Sequence, residues 1–145
     1  MMDTYLDSAI IVKLYVKEVR SSDAIGLVGG CSAPYVLTDW QALEARNAIR
    51  LKTFRSEISV AEMTQSLRAF EQDIMTGRWV RPPYNASSIE QKAEELSAAY
   101  ARFLGCRTLD IVHVAAALVI GIKGFLTFDV RQGALARRVG LHVKP

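Results

Sequence analysis

Asp7, Glu44, Asp110 and Asp129 are the residues whose types and positions could carry chemistry in this chain. Asp7 follows the short apolar run Tyr5-Leu6, and Asp129 follows Phe125–Phe128. Asp110 stands in the first turn of an almost wholly apolar stretch, and Glu44 lies one turn from both Trp40 and Ala48 in a helical pattern. Each acid also has an ordinary use. Asp7 and Asp129 suit helix caps, Asp110 complements a helix dipole, and Glu44 could pair with Arg50. Together they call for a common destination. A carboxylate beside a core is unfavourable unless it is paired, hydrogen-bonded or metal-bound. Carboxylates within a few ångströms repel, and some take up protons unless a cation joins them. Mg2+ or Mn2+ suits such a cluster, because hard cations take oxygen ligands and Mg2+ retains waters that can become nucleophiles.

The elements that must position these acids read as strand–helix units. Tyr5-Leu6 opens a strand that stops at Asp7, and Ser8 is expected to cap a helix from Ala9 to about Lys17. A short helix follows over Ser21–Val28, ended by Gly29-Gly30, then a strand over Ala33–Leu37. Thr38 and Gln41 make a capping box for a helix over Trp40–Phe54, with Trp40, Leu43, Ala48 and Leu51 as its expected core stripe and Glu44 beside it. An inserted helical pair is predicted over Ser56–Thr76 and from Ser87 or Ser88 to Leu104, flanking a short Trp79-Val80 strand. The second helix presents Ala93, Leu96, Ala99, Tyr100 and Phe103 on one face. The apolar helix from Leu109 to about Ile122, with Thr108 as N-cap, is buried by its composition. A strand over Phe125–Phe128, a helix over Val130–Val139 and a strand over Leu141–Val143 complete an α/β fold around a small parallel sheet. Acids at strand ends of such a sheet sit where α/β proteins gather their sites.

Length and composition set bounds. The 145 residues are expected to form one domain, half hydrophobic and 23% charged, the balance of a globular protein in water. The net charge of +3 is compatible with a polyanionic partner and with an ordinary basic surface. Cys31 and Cys106 form neither a CxxC nor a Cys/His cluster, so zinc and a disulfide framework are not indicated. The early residues carry Asp3 and Asp7 and no basic leader, and the apolar run Ile111–Ile122 contains His113 and is too short to span a bilayer. These features predict a cytoplasmic protein without membrane attachment.

Four pieces of the chain, YLDSAIIVKLYVKE, LTDWQALEARNAI, CRTLDIVHVAAAL and FLTFDVRQGALARRVGL, resemble the PIN-domain ribonucleases, in particular the VapC-type toxins of bacterial toxin–antitoxin pairs. Each motif is weak alone; all four occur in order and span the chain. The resemblance implies a three-layer α/β/α fold over residues 1–145 with the inserted helical pair, and a metal-dependent endoribonuclease. It also implies an acidic quartet of Asp7, Glu44, Asp110 and Asp129. Asp7, Asp110 and Asp129 would hold one or two Mg2+ or Mn2+ ions, with Glu44 as an outer ligand or orienting the attacking water. Ser8, Asn47 and Thr127 match supporting positions, whereas Ala9 stands where many relatives carry a second hydroxyl. Lys13, Arg46 and Arg50 are candidate contacts for an RNA backbone. A cognate antitoxin and a homodimer, both using the inserted helices, are further implications.

His113, three residues after Asp110, could join it as a metal pair, but its apolar neighbours Val112, Val114 and Ala116 favour a core histidine. Trp40 and Trp79 could stack on bases; packing is the preferred reading. A receiver-like phosphoacceptor domain fits poorly, because Asp7 stands alone at the first strand. A non-catalytic RNA- or protein-binding module and a nuclease of RNA maturation are the alternatives to a toxin.

Overall fold

The computed structural model describes residues 2–145. Its elements follow in the order β1 (Thr4–Leu6), α1 (Ser8–Tyr15), α2 (Ser21–Gly29), β2 (Tyr35–Val36), α3 (Asp39–Phe54) and α4 (Val60–Met75), continuing through β3 (Trp79–Val80), α5 (Ala86–Leu104), α6 (Thr108–Ile120), β4 (Gly124–Leu126), α7 (Val130–Arg138) and β5 (His142–Lys144). All strand pairs are parallel. One sheet has the order β1-β4-β5, and β2 pairs with β3 in a second.

Strand side chains alternate between two apolar layers, as the pleat requires. Leu6, Tyr35, Leu37 and Leu126 face the core made with α1 to α4, whereas Tyr5, Val36 and Phe125 face the core made with α5 to α7. Tyr5 and Phe125 stack across the β1–β4 pair, with ring centroids 5.5 Å apart and planes 2° from parallel. The expected three-layer α/β/α arrangement is therefore present. Among the described residues, no helix is long and apolar enough to cross a membrane.

Several expected boundaries move. The β4 strand begins at Gly124, one residue earlier than expected, and stops at Leu126, two residues earlier. A Cβ at Gly124 would lie 2.8 Å from Thr4 Oγ1 and 2.9 Å from Asp3 O, so glycine permits this close strand approach. Asp7, not Ser8, is the N-cap of α1, and Arg107, not Thr108, is the N-cap of α6. The final strand is one residue later than expected.

Two packing expectations are wrong. The inward face of α3 is Gln41, Ala42, Ala45 and Ile49, while Leu43 is 65% exposed and Leu51 38% exposed. The small Ala42 and Ala45 allow α3 to approach α1, and the bulkier leucines turn outward. On α5 the buried residues are Ile89 and Leu96, with Ala93 and Tyr100 beside them; Ala99 and Phe103 point to solvent. The two inserted helices are present and serve different layers: α4 packs on α1 and α3, and α5 packs on α6 and α7.

Candidate active site

Asp7 leaves the sheet beside the end of β4, where its N–H donates to Leu126 O at 3.0 Å. It starts α1 through its backbone: its carbonyl accepts from Ile10 and Ile11, and its carboxylate makes no capping hydrogen bond. The buried carboxylate is thus free of the ordinary role that the sequence allowed it. Glu44 comes from α3. The expected capping box at the start of that helix forms, with Gln41 N donating to Thr38 Oγ1 at 3.2 Å and Thr38 N donating to Gln41 Oε1 at 2.7 Å. Gln41 Nε2 also donates to Leu6 O at 2.7 Å. One fully buried amide therefore anchors the Glu44 helix to the strand that delivers Asp7.

Asp110 lies at the third helical position of α6. Its Oδ2 accepts from the Arg107 N–H at 3.3 Å and from Arg107 Nε at 3.2 Å. Asp129 is the N-cap of α7, with Oδ1 accepting from Gln132 N at 2.9 Å. Both acids therefore do the ordinary helix-terminal work expected of such positions, and both also face a shared cleft. That cleft, of about 250 Å³, is lined by Asp7, Ser8, Ala9, Glu44, Ala48, Arg107, Asp110, Phe128 and Asp129. All four acids meet there.

His113 occupies the floor of the site. It is fully buried, as a core histidine would be, yet it is also part of the polar constellation. Its Nδ1 lies 2.9 Å from Tyr5 Oη, and Nε2 lies 2.9 Å from Glu44 Oε1 and 3.2 Å from Ser8 Oγ. Tyr5 Oη in turn is 3.1 Å from Thr38 Oγ1. An ionised carboxylate can only accept, so Nε2 of His113 carries a proton and donates to Glu44. Tyr5 Oη bridges His113 Nδ1 and Thr38 Oγ1, so the chain of contacts ties Glu44 to the start of its own helix.

Electrostatics distinguish Asp7 from Glu44. Burial pushes the Asp7 carboxyl from 3.8 up to about 6; His113 and the Gln132 side chain oppose that rise, and the Glu44 and Asp110 carboxylates add to it. Burial also acts upward on Glu44, but hydrogen bonds from His113 and Ser8 bring it below its ordinary value. A cation would relieve the penalty at Asp7. One ligand atom each from Asp7, Glu44 and His113 lie within 4.8 Å of one another, a spacing that fits a metal ion. Among the described residues, Asp110 and Asp129 belong to no group meeting that spacing, although they line the same cleft.

The supporting residues divide. Ser8 lines the cleft. Thr127 lies beneath Asp129, with Oγ1 accepting from Asp129 N at 3.0 Å and donating to Gln132 Oε1 at 2.7 Å. Asn47 lines an adjoining groove with Trp40, Leu43, Glu44, Ala48, Leu51 and Leu109. Lys13 is bonded to Glu18 at 2.8 Å, and Arg46 to Glu71 at 2.7 Å; neither they nor the exposed Arg50 lines the cleft. Trp79 is core, with Nε1 donating to Tyr15 Oη at 2.6 Å, and Trp40 is half-buried against Tyr84.

Sequence reasoning missed three contributors: the inward reach of His113, the exposed Arg107, and Gln132. The last is fully buried and donates from Nε2 to Asp110 O at 3.3 Å, joining the Asp110 and Asp129 segments. The positions of His113 and Arg107, three residues after and before Asp110, are a helical signal for a shared side; Gln132 carries none.

No family model matches the chain. It is similar to two curated Mycobacterium tuberculosis proteins, Ribonuclease VapC45 (strain CDC 1551 / Oshkosh) and Ribonuclease VapC49 (strain ATCC 25618 / H37Rv). Each is 31% identical over 144 residues, covering 97% of this chain and 94% of the relative.

Proposed function

The chain belongs to the VapC ribonuclease family, and from that premise we propose that it is a divalent-metal-dependent endoribonuclease, the toxin of a toxin–antitoxin pair, built as one catalytic domain. The observation that carries this reading is the convergence of Asp7, Glu44, Asp110 and Asp129 on one cleft at the ends of β1 and β4.

Asp7, Asp110 and Asp129, with Glu44 completing the set, would hold Mg2+ or Mn2+, while His113, with both ring nitrogens engaged, supports Glu44. The ion supplies Lewis-acid activation of water and neutralises charge developing on the phosphodiester. Glu44 stays ionised because His113 and Ser8 hydrogen-bond to it, so its carboxylate can orient the attacking water and accept its proton. Tyr5 and Thr38 hold the imidazole, and the imidazole holds Glu44, which limits the rotamers available to the acid. Thr127 and Gln132 fix the Asp129 backbone and the start of α7, keeping that carboxylate at the cleft wall.

This reading carries a cognate antitoxin that blocks the cleft and a homodimer as its partners. The test is cleavage of mixed structured RNAs by purified, antitoxin-free protein with Mg2+ or Mn2+, with and without chelator, beside Asp7→Asn and Asp110→Asn. Metal-dependent cutting lost in both folded variants is the expected result. Equal cutting by Asp7→Asn overturns the site. No cutting of any RNA by the folded, metal-loaded protein moves the reading to a non-catalytic RNA-binding module.

A further inference from the structure

A cleft walled by four acids repels the polyanion it is proposed to cut, so a cation must face the substrate as well as the metal. The sequence points to Lys13, Arg46 and Arg50. Lys13 and Arg46 are engaged by Glu18 and Glu71, and none of the three lines the cleft. Among the described residues, the one cationic side chain in the cleft lining is Arg107.

Its geometry suits a substrate contact. The Arg107 side chain is 81% exposed, whereas its partner Asp110 is 15% exposed. Only Nε is engaged, at 3.2 Å from Asp110 Oδ2; among the described residues neither Nη atom has a hydrogen-bond partner. The same Oδ2 accepts the Arg107 backbone N–H, so the carboxylate anchors this residue at both its main chain and its guanidinium. An anchored guanidinium with two free nitrogens is a fork suited to the oxygens of a phosphodiester. Arg107 also lines a second hollow, of about 330 Å³, with Gly105, Asp110, Asp129, Val130 and Arg131. The fork therefore stands at the junction of the acid cleft and a space with a second guanidinium, where a continuing strand could run.

We propose that Arg107 is the phosphate-binding residue of this site, its free Nη groups holding a phosphodiester of the RNA backbone beside the acids. This rests on the ribonuclease reading for its substrate, but its binding test does not need turnover. Binding of a short labelled RNA to the chelator-treated protein is measured over a range of salt concentrations, for wild type, Arg107→Gln and Arg107→Lys. Arg107→Gln is expected to weaken binding and to flatten the slope of log affinity against log salt by about 1, and Arg107→Lys to restore the slope. With metal present, kcat/KM should fall roughly 10- to 100-fold in Arg107→Gln. Arg107→Lys should recover only part of it, since an ammonium lacks the fork.

An unchanged slope with Arg107→Gln overturns the proposal. So does faster cutting by Arg107→Gln, which would make the Asp110 contact an inhibitory latch. If wild type binds RNA through Arg107 yet cuts nothing, this inference stands and the nuclease reading falls. The exposed position makes loss of the fold unexpected, and a thermal melt of each variant checks it.

Discussion

His113 Nε2 lies 2.9 Å from Glu44 Oε1, so a fully buried imidazole orients an acid at the wall of the cleft. The two ring nitrogens do separate jobs, which isosteric amides can separate. His113→Gln can keep a donor near the Nε2 position, and His113→Asn can keep only a partner near Nδ1 for Tyr5. Cleavage should survive better in His113→Gln than in His113→Asn, with kcat falling about tenfold or more in the latter. Both should lose roughly 1–3 kcal/mol of stability, because a buried hydrogen-bonding group is left unpaired. Equal kcat in the two variants, measured beside their melting curves, would reduce His113 to packing.

Asp7 makes the metal-free protein sensitive to pH in a defined direction. Its carboxyl is raised by burial from 3.8 to about 6, so the folded state binds this proton more tightly than the unfolded chain does. The resulting contribution is fully present below about pH 4 and is lost as pH rises through about 6. In chelator at pH 7 to 8, Asp7→Asn should therefore be more stable than wild type by about 1–3 kcal/mol. The gain should shrink toward zero near pH 4, as urea melts at several pH values would show.

Added Mn2+ should reverse that ranking. Binding to the folded state alone stabilises by RT ln(1 + [L]/Kd), about 2.7 kcal/mol at a hundredfold excess over Kd. Wild type should gain melting temperature on Mn2+ titration, and Asp7→Asn should gain little. An identical shift in both proteins would place the ion elsewhere.

Asp129 combines capping with charge at the cleft, and two substitutions divide these roles. Asp129→Asn keeps an oxygen for the Gln132 N–H, so stability should change by only a few tenths of a kcal/mol while cleavage is lost. Asp129→Ala should lose cleavage and also about 1 kcal/mol of stability. Denaturant midpoints and initial rates on the same preparations test the division.

Gln132 has no charge and does not line the cleft, yet it spans Thr127 and the Asp110 carbonyl. Gln132→Ala should remove about 1–3 kcal/mol of stability. Cleavage should fall as well, because Asp110 and Asp129 lose their shared tie. A destabilised variant with wild-type kcat would confine Gln132 to the fold.

The acids could be read in the sequence because strand ends and helix starts have local signatures. Asp7 after Tyr5-Leu6 and Asp110 at the head of an apolar helix fall where the fold puts them. The orientation of α3 could not be read so easily. Its leucines suggested one face, but close approach to α1 favours the alanines, a tertiary preference that periodicity alone does not carry. His113 reads as core from its neighbours and is core, but its partners Tyr5 and Glu44 lie far along the chain and meet it only when the layers close. The surroundings of the cations could not be read for a related reason: Glu18 and Glu71 are brought to Lys13 and Arg46 by folding, while exposed Arg107 remains at the cleft.

The parallel pairing of Thr4–Leu6 with Gly124–Leu126 places nearly the whole chain between the two strands that seat Asp7 and Asp129. Asp7 is synthesised long before the β4 carbonyl that receives its N–H. A nascent chain therefore carries an unassembled centre until β4 has been made. On the proposed activity, no cut is possible until β4 has emerged and paired with β1.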